Sequence, residues 1–398
     1  MTVDDGTGQE TQPPGVSALE LFFDLVFVFT ITQLTTVLTQ EPTWNGLLRV
    51  MLMLGIICWM YGGYVWLTNS VTVDRVTRRL TLLGGMAGFL IVALAIPQAF
   101  TGAGKIFGLA YVGVVLIHFA MFARSSRLSV VQAIVGLVPY NISTALLVLL
   151  GGVAGGTAQY ALWGLAFAVE WSSPKLIDDS GFEIEPSHFV ERHGLVVIVA
   201  IGESIIAVGI GAAGLPLDLL LVAAATLGLA LSACLWWSYF GADEGRAEQA
   251  MRDAPMQKRP RLAINAFGYW HLLILLGIVA IASALKPTVS HPLDPLTVAR
   301  ASALGGGVAV FLAGEVLFRR ALAIGSPRAR TVAGLLAIAT IPVGTDVSAM
   351  GQLAVLVVLL IGMLGTEVFA WGRWTDGRAA AVRGPHGGDR HRRGGMGH

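Results

Sequence analysis

The chain is a succession of apolar stretches of near-uniform length separated by short polar turns, and that period leaves few solutions. A helix needs about 20 residues to cross the hydrocarbon of a bilayer, and there it satisfies all of its own backbone hydrogen bonds. Stretches of this kind fall at roughly 17–39, 46–68, 80–100, 105–123, 130–151, 157–172, 190–213, 216–241, 263–285, 296–318, 329–347 and 350–372, the sixth and eleventh carrying the weakest signal. Only 13% of the 398 residues are charged, too few to cover a water-soluble fold of this size. The expected fold is all-α and polytopic, with about twelve transmembrane helices.

Positive charge tests that count, because basic residues concentrate in cytoplasmic loops. Alternating loops place 22 of the 26 Lys and Arg on the side of the N-terminus, leaving Arg49, Lys105, Lys286 and Arg300 opposite. The split predicts a multi-pass protein of the cell membrane with both termini cytoplasmic. Trp44, Trp66, Trp163, Trp171, Trp371 and Trp374 fit an interfacial belt. The acidic opening segment lacks the basic start of a signal peptide, so the first span is expected to remain. A net charge of +1 gives no basic field for nucleic acid, and Cys58 and Cys234, both in apolar runs, read as small buried hydrophobes. Residues 1–16 and 373–398 read as disordered tails, the second basic, with His386, His391 and His398 solvated.

Four landmarks recur in order. Asp24, Trp59 with Tyr61, Phe122 with Arg124, and Glu170 are followed by Glu203, Trp237 with Tyr239, Phe318 with Arg320, and Glu367. The steps from carboxylate to tryptophan are 35 and 34 residues, and from arginine to the last glutamate 46 and 47; the middle steps, 65 and 83, differ by one insertion placed at Asp243 to Arg261. The pattern predicts two six-helix repeats of the same orientation, at 17–172 and 190–372, joined by a cytoplasmic linker at 173–189.

An ionisable side chain inside a span is costly, so each is a candidate for function. Asp24 lies among Phe22, Phe23, Leu25, Val26 and Phe27 and needs a cation or donor opposite, unless it carries a proton. Glu20, one turn earlier, reads either as its partner in a two-carboxylate site or as half of a capping box with Ser17. Glu203 lies deep in the seventh span. Glu170 and Glu367, near span ends, read as part of a polar path or as groups reaching the interface, and Glu315 reads as an ion pair with Arg319 at i+4. His188, Glu191 and His193 suggest a metal cluster, but His193 points to another helix face, so anchoring at the cytoplasmic surface, with Ser187 as a cap, is preferred. His118 and His271, inside spans, read as core hydrogen-bonding groups. Trp59, Tyr61, Trp237 and Tyr239 are candidates to line a pore or bind a cation. No cofactor is expected, and no Walker loop, HExxH or nucleophile elbow is present.

The run from Glu20 to Gln33 (ELFFDLVFVFTITQ), with His188-x-x-Glu191-Arg192-x-Gly194, Gly202-Glu203-Ser204 and Trp236-Trp237-x-Tyr239-Phe240, resembles the bacterial low temperature requirement A family over about 17–372. The resemblance implies a multipass inner-membrane protein linked by name to growth in the cold, with Glu20, Asp24, Glu191, Arg192, Gly202 and Glu203 as signature positions. Phe23-Asp24-x-Val26-Phe27 with Ile31-Thr32 is also similar, more faintly, to the first-helix signature of six-helix-repeat endolysosomal and bacterial potassium channels, with Phe23 in place of its serine. The leading expectation is passage of a cation, proton or small solute between the halves near Asp24 and Glu203. The alternatives are a membrane-embedded enzyme acting on lipid or isoprenoid through His188, Glu191 and His193, and a structural or regulatory protein without turnover. The lipid bilayer is the expected partner.

Overall fold

The computed structural model describes residues 16–70, 76–123, 128–176 and 184–382, and among them every regular element is helical. The first half contains α1 (Ala18–Gln40), α2 (Trp44–Ser70), α3 (Val76–Ala95), α4 (Gly104–Phe122), α5 (Leu128–Ala154) and α6 (Gly156–Ser172). The second contains α7 (Pro186–Ala212), α8 (Leu219–Phe240), α9 (Asp243–Asp253), α10 (Arg259–Ala263), a π-helical turn (Ile264–Trp270) leading into α11 (His271–Ser290), α12 (Val298–Leu322), α13 (Arg328–Ala339), α14 (Ile341–Asp346) and α15 (Ala349–Val382).

Ten of the described helical segments are long and apolar enough to cross a membrane. The two weakest sequence signals correspond to α6, of 17 residues, and to the broken pair α13 and α14. Both nevertheless run from one end of the bundle to the other. Gln159 near the start of α6 donates to the Ala99 carbonyl in the turn between α3 and α4 (2.8 Å), and the Trp171 carbonyl near its end accepts from Tyr269 at the start of the α11 region (2.9 Å). Arg330 at the start of α13 reaches Ser238 at the end of α8, whereas the Gly344 carbonyl in α14 accepts from the Leu296 amide in the turn between α11 and α12 (2.8 Å). Among the described residues the chain therefore makes twelve passages between the ends of the bundle.

Local chemistry explains the helix ends. Ser17 and Glu20 form a complete capping box at α1. Pro186 occupies the first turn of α7 with Glu185 as N-cap, two residues earlier than the Ser187 cap expected from sequence. The charged segment from Asp243 folds as α9, whose buried Asp243, Ala247 and Met251 make a stripe at i, i+4, i+8. Trp163 is fully buried and donates to the Val148 carbonyl (2.9 Å), so it is a core residue and not part of an interfacial belt; Trp44 is 85% exposed. Helix α15 continues to Val382, ten residues past the expected end of the last span. Residues 1–15 and 383–398 and Arg124 lie outside the described residues, as do the side chains of Trp371 and Trp374.

Within the first half α1 packs on α2 and α3, α3 on α4, α4 on α5, and α6 on α5 and α2. Within the second, α7 packs on α8 and α11, α11 on α12, α12 on α13, and α15 on α13 and α8. The halves meet where α1 and α2 face α7 and α11, and the buried side chains of both form one continuous core.

Candidate functional site

The junction of the halves carries polar side chains at two levels of one seam. Arg192, six residues into α7 and fully buried, donates to both Asp24 oxygens (3.0 and 2.6 Å), to Glu20 (3.1 Å) and to Thr68 near the end of α2 (2.9 Å). Tyr61 donates to Asp24 (2.8 Å). His188 accepts from Asn69 through Nδ1 and offers Nε2 to the Glu20 carboxylate, 3.3 Å on each side. Two carboxylates thus share one guanidinium, a geometry that a planar fork provides and an ammonium does not. Glu20 caps α1 and at the same time faces Asp24 across Arg192.

The face of α7 that carries this cluster is His188 and Arg192, at i and i+4. Glu191 is exposed on another face, and His193 bonds the Phe189 carbonyl of its own helix (2.9 Å). His188, Glu191 and His193 therefore do not converge, and His188 is paired with Glu20 of α1.

Glu203 belongs to the same α1–α7 seam, about 16 Å farther along α7 than Arg192. It is 4% exposed, and Thr32 of α1 donates to it (2.7 Å). Among the described residues no cation pairs with it. Asp24 and Glu203 do not touch. Phe27, one turn beyond Asp24, stacks on Tyr61 at 4.0 Å and, with Ile31, fills the level between them.

The remaining carboxylates lie elsewhere. Glu367 of α15 takes a bidentate bond from Arg319 (2.7 and 2.9 Å) and a second pair from Arg330 (3.1 and 3.2 Å). Arg319 also donates to Asp243 (2.6 Å), and Arg330 lies 2.9 Å from both Asp243 and Glu315. Glu315 does not pair with Arg319, as i+4 spacing suggested; its partners are Arg330 and Ser238 (2.8 Å). With Arg246 at 3.5 Å from Asp243, three acids meet three bases, which reads as a neutral latch binding α8, α9, α12, α13 and α15. Glu170 is fully buried at the end of α6 and bonded to the Tyr111 hydroxyl. Neither Glu170 nor Glu367 joins Asp24 and Glu203 in one path. Asp243 and Arg330 escaped the sequence reading because both sit at helix starts, where a charge is unremarkable.

Of the four aromatic candidates, Trp59 and Tyr61 line a cavity of about 140 Å³ at the junction of the halves. Tyr239 is buried and donates to His271 Nε2 (2.8 Å), while Trp237 is 55% exposed on the outer face of α8 and lines nothing internal. His271 also bonds the Ala266 carbonyl through Nδ1 (3.0 Å) and so is a satisfied core group, whereas neither ring nitrogen of buried His118 makes a hydrogen bond of good geometry.

Twelve helical passages, an apolar exterior and ion pairs gathered inside define an all-α, multi-pass integral membrane protein. Residues 15–364 match the bacterial low temperature requirement A protein (LtrA) family, and the chain belongs to it. It is 28% identical over 330 residues to an uncharacterised protein of Rhizobium meliloti (strain 1021), covering 78% of this chain and 79% of that one. No solved structure matches the chain.

Proposed function

We propose that this LtrA protein passes protons or small cations across the cell membrane along the α1–α7 seam, with Glu203 as the group that receives them. The observation that carries the reading is the environment of Glu203: a buried carboxylate whose one hydrogen-bond partner is a hydroxyl, with no ion pair among the described residues. An ionised carboxylate without a counter-charge is costly in such surroundings, so this one holds either a proton or a cation that arrives from outside the protein. Thr35 and Ser204, on the same two helices, add buried hydroxyl oxygens without hydrogen-bond partners. Asp24 differs, because Arg192 already neutralises it, and its cluster closes the end of the seam at which α1 and α7 begin.

Two six-helix repeats of like orientation accompany this reading, supported by the six neighbour relations common to both halves. Both termini face the cytoplasm, supported by the even number of passages and by the bias of basic residues. In proteoliposomes carrying a pH-sensitive dye inside and an imposed potassium or proton gradient, Glu203→Gln is expected to abolish flux while leaving the thermal unfolding midpoint within a few degrees of the parent. Undiminished flux in that variant removes the proposal.

A further inference from the structure

The cavity between the halves, of about 140 Å³, is walled by flat rings. Trp59 and Trp171, with centroids 5.9 Å apart, come from the first half, and Phe189 and Phe267, 5.5 Å apart, from the second. No Asp, Glu, Lys or Arg lines it, so a charged occupant would lose its hydration without a counter-ion. An apolar cavity of about 150 Å³ takes up a molecule the size of benzene in preference to water, which sets the scale of a fitting occupant at one or two small rings. Leu137, Ile264 and Gly268 on the rim are only half-buried, so the space is not closed off.

Two side chains on this wall are more than nine-tenths buried and keep a nitrogen in reserve. His193, 7% exposed, donates from Nδ1 to the Phe189 carbonyl (2.9 Å), and its ring lies between Phe189 and Phe267, with centroids at 4.4 and 5.0 Å. A neutral imidazole that donates at Nδ1 is an acceptor at Nε2, and among the described residues nothing bonds that atom. Asn141, 3% exposed, receives the Trp59 N–H at Oδ1 (3.2 Å), which orients its amide and leaves Nδ2 without an acceptor among the described residues. Neither nitrogen belongs to the buried, unpartnered atoms that water cannot reach, so each opens on accessible space, and for these two side chains that space is the cavity. His118 differs. Both of its ring nitrogens are closed to water, and the ring packs so near Gly63 that a Cβ there would sit 3.0 Å from Nε2; it supplies wall and no contact.

We propose that this cavity binds a small, neutral, flat aromatic molecule carrying an N–H donor, of the indole class, its rings between the Trp and Phe walls and its N–H donated to His193 Nε2. A free acceptor selects a donor on the ligand: a carbonyl or ether oxygen would meet Nε2 as a second acceptor, and a saturated chain would leave it unpaired. The Asn141 amide, which has only donors to offer, suits the electron-rich face of such a ring.

Indole is the probe, and benzofuran, of the same shape with an oxygen in place of the N–H, is its control. In equilibrium dialysis of the full-length protein in detergent, with partition into protein-free micelles subtracted, indole is expected to bind saturably. Benzofuran is expected to bind about tenfold more weakly, the cost of one buried hydrogen bond. His193→Phe keeps a ring between Phe189 and Phe267 and removes the acceptor, so the preference for indole is expected to vanish in it. The comparison of the two ligands on the parent protein needs no variant to fold. Equal affinity for both ligands in the parent, uptake of indole that never saturates, or a preference that survives in folded His193→Phe overturns the proposal.

Discussion

Among the described residues Arg192 is the one cation bonded to both Glu20 and Asp24, and its removal would strand two buried acids. Breaking a buried pair by deleting one partner costs about 3–5 kcal/mol, whereas replacing every member with neutral groups of similar shape is often neutral. Arg192→Met is therefore expected to lower the thermal unfolding midpoint in detergent sharply, and the triple variant Arg192→Met, Glu20→Gln, Asp24→Asn to recover most of the loss. If the triple variant is no more stable than the single one, Arg192 acts through packing and not through charge. The acids were legible from sequence because a carboxylate in an apolar run is conspicuous. Their partners were not, since Arg192 is 168 positions from Asp24 and nothing local marks which of the many arginines near helix ends turns inward. The same limit hid Arg330 and Asp243, and it misassigned Glu315, whose i+4 neighbour serves Glu367 instead.

At the scale of helices, the apolar runs located nearly every passage, because in lipid a segment's length and composition alone decide whether it can cross. What those runs could not give is the fit between segments. Gly277 of α11 lies where a Cβ would come within 2.6 Å of the Phe311 amide nitrogen and 2.8 Å of the Gly307 carbonyl oxygen, so α11 and α12 touch backbone to backbone. Small residues permit such approach between membrane helices. Gly277→Val is expected to destabilise by about 1–3 kcal/mol through overpacking. Gly306→Ala, one residue from that contact but with open space at its Cβ, is expected to be neutral or slightly stabilising through helix propensity. Equal losses in both, read from unfolding midpoints, would remove the close-approach account. The π turn before α11 and the folding of α9 were beyond the sequence reading for the same reason, since each depends on neighbours that the chain meets only after folding.

The whole molecule combines two arrangements that are alike in outline and unlike in chemistry. The first half hangs on a cluster that borrows Arg192 from the second, while the second half is closed by its own latch of Asp243, Glu315, Glu367 and three arginines. Landmarks that match in sequence have different partners: Glu170 holds a tyrosine where Glu367 holds two guanidinium groups, and Arg320 is exposed beside the buried Arg319. The Arg192 cluster thus ties the halves together across the seam, whereas the latch lies wholly within the second half. The placement of ends then becomes decisive. Arg252, its side chain 49% exposed on α9, and Asp294, 73% exposed in the turn after α11, lie at opposite ends of the bundle because α11 runs between them. In a background with Cys58 and Cys234 changed to Ser, Asp294→Cys is expected to react with a membrane-impermeant maleimide in intact cells, and Arg252→Cys only after permeabilisation. The opposite pattern would invert the orientation and place the Arg192 cluster on the outer side of the membrane, where it would face the extracellular solution as the first barrier of the seam.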